Sequence, residues 1–445
     1  MYTEDRMLRG KKKSEPAPTK GKKAAETAAV FEQMLDDNVR ASRANVPALK
    51  NIGELESDTI RDLVDGVVRY AYESGASDIH VDPAESLIAV RFRIDGILHD
   101  VLSLPKSVQP TIVTRVKVLS ELRTDEHQVP QDGRFRIILD GTPVDVRVSI
   151  VPTFHGENMV MRLLVGHARA LGLDELGLNR RDLGAVEANI RKSYGMILAT
   201  GPTGSGKTTT LYSILQILNT RARSIITIED PVEYALAGLS QIQVNAQTGL
   251  TFANGLRSIV RQDPNIIMVG EIRDEETANI AVNAAMTGHL LLSTLHANDA
   301  AVTLPRLLDM GIEPFLIAST VNVAIGQRLI RKICPHCATT RRLTDIERTS
   351  LATIIPPSTL SKFKEFAEPK GCAQCGGSGY VGRIGIYEVL EVTEHVRHMI
   401  MKRENADEIR KAAMEEGMTT MLMDGLEKAS AGVTSIAEVL RVIHE

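Results

Sequence analysis

Residues 197–215 read ILATGPTGSGKTTTLYSIL, the strongest structural signal in the chain. An apolar segment runs directly into a glycine-rich loop, and a helical pattern begins where the loop ends. Glycines let backbone N–H groups point toward one centre, and the positive end of the following helix faces the same point. This strand–loop–helix context is the one that identifies a phosphate-binding P-loop. We therefore predict that the chain binds a nucleotide of the ATP type.

The loop also supplies the expected ligands of the phosphates and of a metal ion. The Lys207 ammonium would reach the β and γ phosphates, and the Thr208 hydroxyl would ligate Mg²⁺. The predicted nucleotide-binding residues are Gly201, Thr203, Gly204, Ser205, Gly206, Lys207, Thr208 and Thr209. ATP and Mg²⁺ are therefore the expected occupants of this site.

Two further apolar runs end in carboxylates. SIITIEDPVEY places Glu229 and Glu233 just beyond one run, and NIIMVGEIRDEE places Glu271 at the end of another. In P-loop enzymes one carboxylate at such a strand end holds the Mg²⁺ hydration shell and another orients the attacking water. We predict Glu233 as the base, because its longer loop can approach the γ phosphate from outside. Glu271 is then the metal-associated carboxylate, and Glu229 and Glu271 stay open as alternatives for the base.

A pair of histidines follows the second carboxylate. GHLLLSTLHAND holds His289 and His296, seven residues apart across an apolar strand. Two histidines at the ends of a strand beside the P-loop are suited to sensing the γ phosphate, and we predict that role. A structural role for either histidine is the alternative.

The chain divides into three regions of different pattern. Residues 1–50 are rich in Lys, Ala, Pro and Glu without strong periodicity, which predicts a flexible basic tail. Residues 51–166 combine a helical pattern with alternating strands and Asp-Gly hairpin turns, which predicts a small α+β domain. Residues 170–445 alternate short apolar runs with helical stretches, which predicts an α/β fold around a parallel sheet, with helices at the end.

All four cysteines of the chain lie far downstream of the P-loop. Two Cys-x₂-Cys pairs with 34 residues between them resemble a zinc-ribbon spacing with a long middle. Four thiolates suit a closed tetrahedral Zn²⁺ site, and a cytoplasmic chain disfavours disulfides. A redox pair is a poorer interpretation, because neither pair opens a helix after a strand. The predicted zinc ligands, in a subdomain at about 331–385, are Cys334, Cys337, Cys372 and Cys375.

Composition limits the classes of function. Charged residues make up 24% of the chain, the formal net charge is −4, and aromatics are only 4%. There is no basic excess to attract nucleic acid and little aromatic surface to stack bases. No apolar run approaches the roughly 18–20 residues that span a bilayer, and the N-terminus lacks the apolar core of a secretory signal. We expect a cytoplasmic chain without a transmembrane segment, and a nucleic-acid-stimulated motor is the alternative.

Eight motifs occur between residues 55 and 445: GASDIHVDP, RFRIDGIL, PQDGRF, VDVRVS, GPTGSGKTTT, TIEDPVE, LRSIVRQDPNIIMVGEIRDEETA and TGHLLLSTLHAND. Their series resembles the type II secretion and type IV pilus assembly ATPases. The resemblance implies a RecA-like P-loop ATPase domain with a zinc-binding subdomain, preceded by a small PAS-like domain. It also implies a hexameric ring, peripheral on the inner membrane, that acts on a membrane platform protein and powers pilus or pseudopilus assembly.

The resemblance also assigns roles to individual side chains. It implies that Glu233 is the catalytic glutamate and Glu271 the Mg²⁺-associated one. His289 and His296 are then the two histidines of the family's His box.

Arginines of the small domain complete the nucleotide site in this family. Arg134 in DGRF and Arg147 in DVRV fit that role best, since a guanidinium supplies permanent positive charge to a phosphoryl transition state. Arg91, Arg93 and Arg162 are weaker candidates, because a charged strand face explains them as well.

In the family, four cysteines of this kind mark assembly and secretion motors, while retraction motors lack them. The resemblance therefore favours assembly or secretion, and a retraction-type ATPase is the alternative within the family. A scaffold that binds ATP and barely hydrolyses it is the alternative outside it.

Overall fold

The computed structural model describes residues 57–165, 171–352, 355, 360–361 and 363–444. Most of their strands lie in two β-sheets of different construction. The tail predicted over residues 1–50 lies outside the described residues.

The first sheet has six strands and is antiparallel throughout. Its strands are β1 (Ala76–Pro83), β2 (Leu87–Ile94), β3 (Ile97–Pro105), β4 (Gln131–Leu139), β5 (Thr142–Thr153) and β6 (Gly156–Val165). They lie in the order β3-β2-β1-β6-β5-β4. Helices α1 (Ser57–Glu73) and α2 (Gln109–Leu119) share one apolar core with this sheet. The reason is visible in β5, where Val144, Val146 and Val148 are buried and alternate with polar residues, as a sheet covered on one face requires.

The second sheet has seven strands and lies farther along the chain. Its strands are β7 (Gly195–Thr200), β8 (Ile225–Glu229), β9 (Ser240–Gln243), β10 (Ile266–Val269), β11 (Leu290–Leu295), β12 (Val321–Ile333) and β15 (Tyr380–Glu391). The order is β15-β12-β7-β11-β10-β8-β9, and only β15 runs antiparallel to its neighbour. All residues of β7, β8, β10 and β11 are buried, because helices cover both faces.

The helices of this region are α3 (Arg180–Ile190), α4 (Lys207–Leu218), α5 (Phe252–Ile259), α6 (Glu275–Met286), α7 (Ala300–Asp309) and α8 (Pro314–Thr320). Separate apolar clusters fill the two sides of the sheet. The predicted α/β fold, a parallel sheet preceded by a smaller α+β unit, is confirmed.

The cysteine segment, residues 334–375, follows β12 and contains the small sheet of β13 (Ala338–Arg341) and β14 (Phe366–Pro369) with helix α9 (Asp345–Ala352). The chain ends in α10 (Glu394–Met401), α11 (Ala406–Glu415), α12 (Met421–Ser430) and α13 (Ile436–His444). Leu351 and Phe366 share an apolar cluster with Leu426 of α12 and Val439 of α13. The cysteine segment is therefore packed against the last two helices. In the described part of the chain, no helix combines the length and the apolar character needed to cross a membrane.

Candidate nucleotide site

One edge of the second sheet collects most of the predicted site residues. Strands β7, β8, β10 and β11 are parallel, so their carboxyl ends meet at a common edge. The P-loop leaves β7 there, and Glu233, Glu271 and His296 follow β8, β10 and β11. All eight predicted nucleotide-binding residues lie between the end of β7 and the first turn of α4. In open α/β sheets this edge is where ligands bind.

The P-loop has a backbone that only glycine can supply at several positions. Gly201, Gly204 and Gly206 have φ values of +146°, +80° and +92°. A Cβ atom on Gly201 would lie 2.5 Å from the carbonyl oxygen of Gln327 on β12. The fully buried Gln327 side chain also donates from Nε2 to the carbonyl oxygen of Ser205 at 2.8 Å. Strand β12 therefore packs against the P-loop and holds its backbone through Gln327. The P-loop motif itself does not indicate this contact.

Lys207 is held inside the loop. Its Nζ donates to the carbonyl oxygens of Gly201 at 2.8 Å and Pro202 at 2.9 Å. Burial lowers the pKa of Lys207, and the nearby Glu271 carboxylate opposes that effect. Thr208 follows in the first turn of α4 and is half-buried. The ammonium thus lies at the helix N-terminus, where phosphate oxygens could replace the two carbonyl acceptors.

Glu271 is a half-buried carboxylate with an arginine and a histidine against its two oxygens. Arg273 Nη2 lies 2.6 Å from Oε1, and His296 Nε2 lies 3.0 Å from Oε2. Burial raises the pKa of Glu271, but the hydrogen bonds from Arg273 and His296 outweigh it and hold the pKa below its ordinary value. The carboxylate is therefore ionised, and its charge faces the P-loop lysine.

The two predicted histidines lie at opposite edges of the sheet. His289 precedes β11, accepts a hydrogen bond at its carbonyl from the Gly195 amide at the start of β7, and directs Nδ1 to the Ala284 carbonyl oxygen at 2.8 Å. The six-residue strand between the histidines spans about 20 Å at roughly 3.3 Å per residue. The structure brings His296, and not His289, to the edge with the P-loop. The reason is that a strand delivers its two ends to opposite edges, and the sensing role predicted for His289 stays a prediction.

Glu229 is enclosed by donors. It is 2% exposed, and its Oε2 accepts a hydrogen bond from the Tyr212 hydroxyl. Its Oε1 accepts from Thr227 Oγ1 at 2.5 Å and from Gln241 Nε2 at 3.3 Å. Both carboxylate oxygens therefore accept hydrogen bonds from buried neighbours, and neither is open toward the P-loop.

Glu233 is in a different environment, since it is half-exposed and meets the first sheet. Arg147 of β5 donates from Nη1 to Glu233 Oε2 at 3.0 Å and from Nη2 to the Val232 carbonyl oxygen at 2.7 Å. Both side chains keep about a third of their surface exposed, 28% for the arginine and 35% for the glutamate. The two sheets thus contact one another at Glu233, beside the P-loop edge.

Arg147 belongs to a row of charged residues across the polar face of the first sheet. The strand register aligns Arg134 with Arg147, Arg147 with Arg162, and Arg162 with Asp78. Directly opposed like charges repel one another. Asp78, which is 5% exposed, relieves part of that repulsion by accepting from Arg162 Nε at 2.9 Å. Arg134 is exposed next to Arg147, so the row presents net positive charge beside Glu233.

The four cysteines form one cluster. Their Sγ atoms lie within 4.8 Å of one another, and none is in a disulfide. The Sγ separations are 3.9 Å for Cys334–Cys372, 3.9 Å for Cys337–Cys375 and 3.7 Å for Cys372–Cys375. A tetrahedron with Zn–S bonds of about 2.3 Å has edges of about 3.8 Å. The Gly379 amide also donates to Cys375 Sγ at 3.2 Å. The cluster has the size and the donor set to hold one metal ion.

Comparison with known proteins places the chain in a family. The family model described as "Type II/IV secretion system protein" matches residues 54–441. Type II secretion system protein E of Pseudomonas aeruginosa is 45% identical over 403 residues, which cover 90% of this chain and 79% of that protein. The type IV pilus assembly ATPase PilB of Myxococcus xanthus is 42% identical over 406 residues, 91% of this chain and 71% of that protein.

A solved structure agrees with the sequence comparisons. The pilus retraction motor PilT with bound ADP superposes with a TM-score of 0.57 at 26% identity, covering 87% of this chain and 97% of that one. The fold and site define a P-loop nucleotide-binding protein. The chain belongs to the type II/IV secretion system protein family and is an ATPase.

Proposed function

We propose that the chain forms a hexameric, Mg²⁺-dependent ATPase motor that powers assembly of a type IV pilus or a type II secretion pseudopilus. It would act at the cytoplasmic side of the inner membrane on a platform protein of that machinery. The relatives named for type II secretion and pilus assembly support the choice of process. The observation that carries the motor role is the contact of Arg147 with Glu233, because it links the nucleotide edge of one sheet to the other sheet.

In the proposed reaction the P-loop amides and Lys207 bind the β and γ phosphates of ATP. Thr208 and Glu271 would hold Mg²⁺, which supplies positive charge to the phosphate oxygens when bound. Glu233 accepts a proton from a water molecule whose oxygen attacks the γ phosphorus. The bond from that phosphorus to the β–γ bridging oxygen breaks, so the products are ADP and inorganic phosphate. Arg147 would stabilise the charge on the transferring group.

The environments of the three glutamates support Glu233 as the base. Glu229 has donors on both oxygens and is closed off from solvent. Glu271 is held by Arg273 and His296. Glu233 has one cation on one oxygen and keeps a third of its surface open. A water molecule can therefore reach its second oxygen.

Arg147 would also couple hydrolysis to motion. Its guanidinium donates to the Glu233 carboxylate and to the Val232 carbonyl oxygen. A γ phosphate offers a stronger acceptor of the same fork geometry. Exchange between these acceptors would shift the first sheet against the second in each cycle, and Arg134 beside it would join the same phosphate contact. His296 would contact the γ phosphate when it is present and, through its hydrogen bond to Glu271, change the position of that carboxylate.

We further propose that the four cysteines bind a structural Zn²⁺. A Cys₄ site has no open position for a reacting group, so its effect is to fix the cysteine segment on α12 and α13. In the family that the sequence resembles, assembly and secretion motors carry such an element and retraction motors lack it. The cysteines therefore favour an assembly or secretion motor.

Steady-state phosphate release by the purified chain tests the proposed activity. Wild-type protein is expected to release phosphate from Mg-ATP and to sediment as a hexamer, and Lys207→Ala is expected to release phosphate only at the background rate. Added double-stranded DNA should leave the wild-type rate unchanged. An unchanged rate in a folded Lys207→Ala protein contradicts the proposed site, and strong stimulation by DNA would favour the nucleic-acid motor.

A further inference from the structure

A buried polar network connects the P-loop helix to the loop that carries Glu233. Tyr212 lies in the second turn of α4, after Lys207, and is 1% exposed. Its hydroxyl donates to Glu229 Oε2. The Tyr212 phenol oxygen in turn accepts from the backbone N–H of Glu233 at 3.4 Å. One phenol therefore touches both the end of β8 and the residue proposed as the base.

Gln241 of β9 anchors the same loop on the other side of Glu233. Its Nε2 donates to Glu229 Oε1 at 3.3 Å and to the Tyr234 carbonyl oxygen at 3.2 Å. Its Oε1 accepts from the backbone N–H of Leu236 at 2.6 Å. Residues on the C-terminal side of Glu233 are thus tied to the same carboxylate that binds Tyr212.

The network has a fixed hydrogen-bond direction. Burial and the adjoining Glu229 carboxylate both raise the pKa of Tyr212, so the phenol keeps its proton. A phenol hydroxyl has a single hydrogen to donate, and here it is donated to Glu229. The phenol oxygen is then left as an acceptor for the Glu233 amide and for Gln241 Nε2, each at 3.4 Å. Because the Glu229 carboxylate can only accept, the Tyr212 hydroxyl must point its hydrogen toward Glu229.

We propose that Tyr212 is a positioning residue for hydrolysis: its hydroxyl, oriented by Glu229, fixes Glu233 relative to the phosphate-binding turn that holds Lys207. The inference rests on the proposed role of Glu233 as the base. Proton transfer requires the base within about 2.6–3.2 Å of the water, so a small displacement of the loop is costly. Because Tyr212 and Lys207 share one helix, the base keeps its place when the phosphate-binding turn adjusts to ATP.

Tyr212→Phe tests this inference, and Tyr234→Phe is its matched control. The two rings are in edge-to-face contact with centroids 4.7 Å apart, and Tyr234 packs against the apolar cluster that contains Tyr212. Each variant therefore deletes one phenol oxygen from the same neighbourhood. Tyr212→Phe is expected to lower kcat for ATP hydrolysis by about 10–100-fold with KM for Mg-ATP changed less than about twofold. Tyr234→Phe should keep both constants near wild type. Gln241→Met should repeat the kcat-selective loss by a second route if Tyr212→Phe folds poorly.

A double variant separates positioning from a general loss of structure. If Tyr212 acts through Glu233, Tyr212→Phe adds no further loss to Glu233→Gln. A wild-type kcat in Tyr212→Phe, an equal loss in Tyr234→Phe, or additive losses in the double variant would overturn the inference while leaving the proposed function intact. A wild-type kcat in Glu233→Gln alone would instead overturn the base assignment, and the inference with it.

Discussion

Arg147→Ala is expected to lower kcat for ATP hydrolysis by about 10³-fold, the scale that an arginine contributes at a phosphoryl-transfer site. The substitution removes the guanidinium that the first sheet brings to Glu233 at 3.0 Å. Arg147→Lys should recover only part of the activity, because an ammonium lacks the planar fork that bonds two acceptors at once. Phosphate release at saturating Mg-ATP, with nucleotide affinity measured in parallel, gives the result.

Arg136→Ala is the matched control for this variant. Arg136 lies on the neighbouring strand β4 of the same sheet and pairs with Asp145 at 2.7 Å on the exposed surface. We expect it to keep kcat near wild type. Equal losses in the two variants would mean that any arginine of this face supports the sheet, and that Arg147 has no special relation to the phosphate.

Cys372→Ser is expected to release the metal and to loosen the cysteine segment while leaving ATP binding in place. Structural Zn²⁺ contributes folding free energy outright, about 10–16 kcal/mol in zinc-finger peptides, so its loss should lower the melting temperature and open the segment to protease. ATP binding should persist, because the P-loop lies between β7 and α4, outside the apolar cluster that holds the segment. Metal analysis of the purified protein should give one Zn²⁺ per chain.

His336→Ala is the control for the metal site. His336 lies exposed between the two cysteines of the first pair, and its side chain is not part of the sulfur cluster. This variant should retain zinc. Fully active wild-type protein without zinc would contradict the metal assignment, and loss of zinc in His336→Ala would change the ligand set.

Much of the nucleotide edge could be predicted from the sequence, because local patterns and one topological rule suffice. The P-loop is a continuous motif, and parallel strands deliver their carboxyl ends to a single edge. Glu233, Glu271 and His296 follow three such strands, so predicting that they lie at the edge with the P-loop required only the correct strand direction. The same rule, applied to both ends of β11, would have placed His289 at the opposite edge.

The partners of these residues could not be predicted in the same way. Tyr212 and Gln327 reach the site through tertiary contacts between elements, and nothing in their own segments indicates what they face. The row of Arg134, Arg147 and Arg162 depends on the register of antiparallel strands, and a shift of one residue would send these side chains to the other face. Such contacts are set by packing, which short motifs do not encode.

Phosphate release by Glu233→Gln, measured together with Mg-ATP binding, tests the proposed hydrolysis mechanism most directly. The variant keeps the size of the side chain but replaces the carboxylate with a neutral amide, which cannot act as a base and loses the charge that pairs with Arg147. We expect it to bind Mg-ATP with wild-type affinity and to lose turnover by about 10²–10⁴-fold, the contribution of a general base. Wild-type turnover in a folded Glu233→Gln protein would contradict the mechanism and move the base to Glu271 or Glu229.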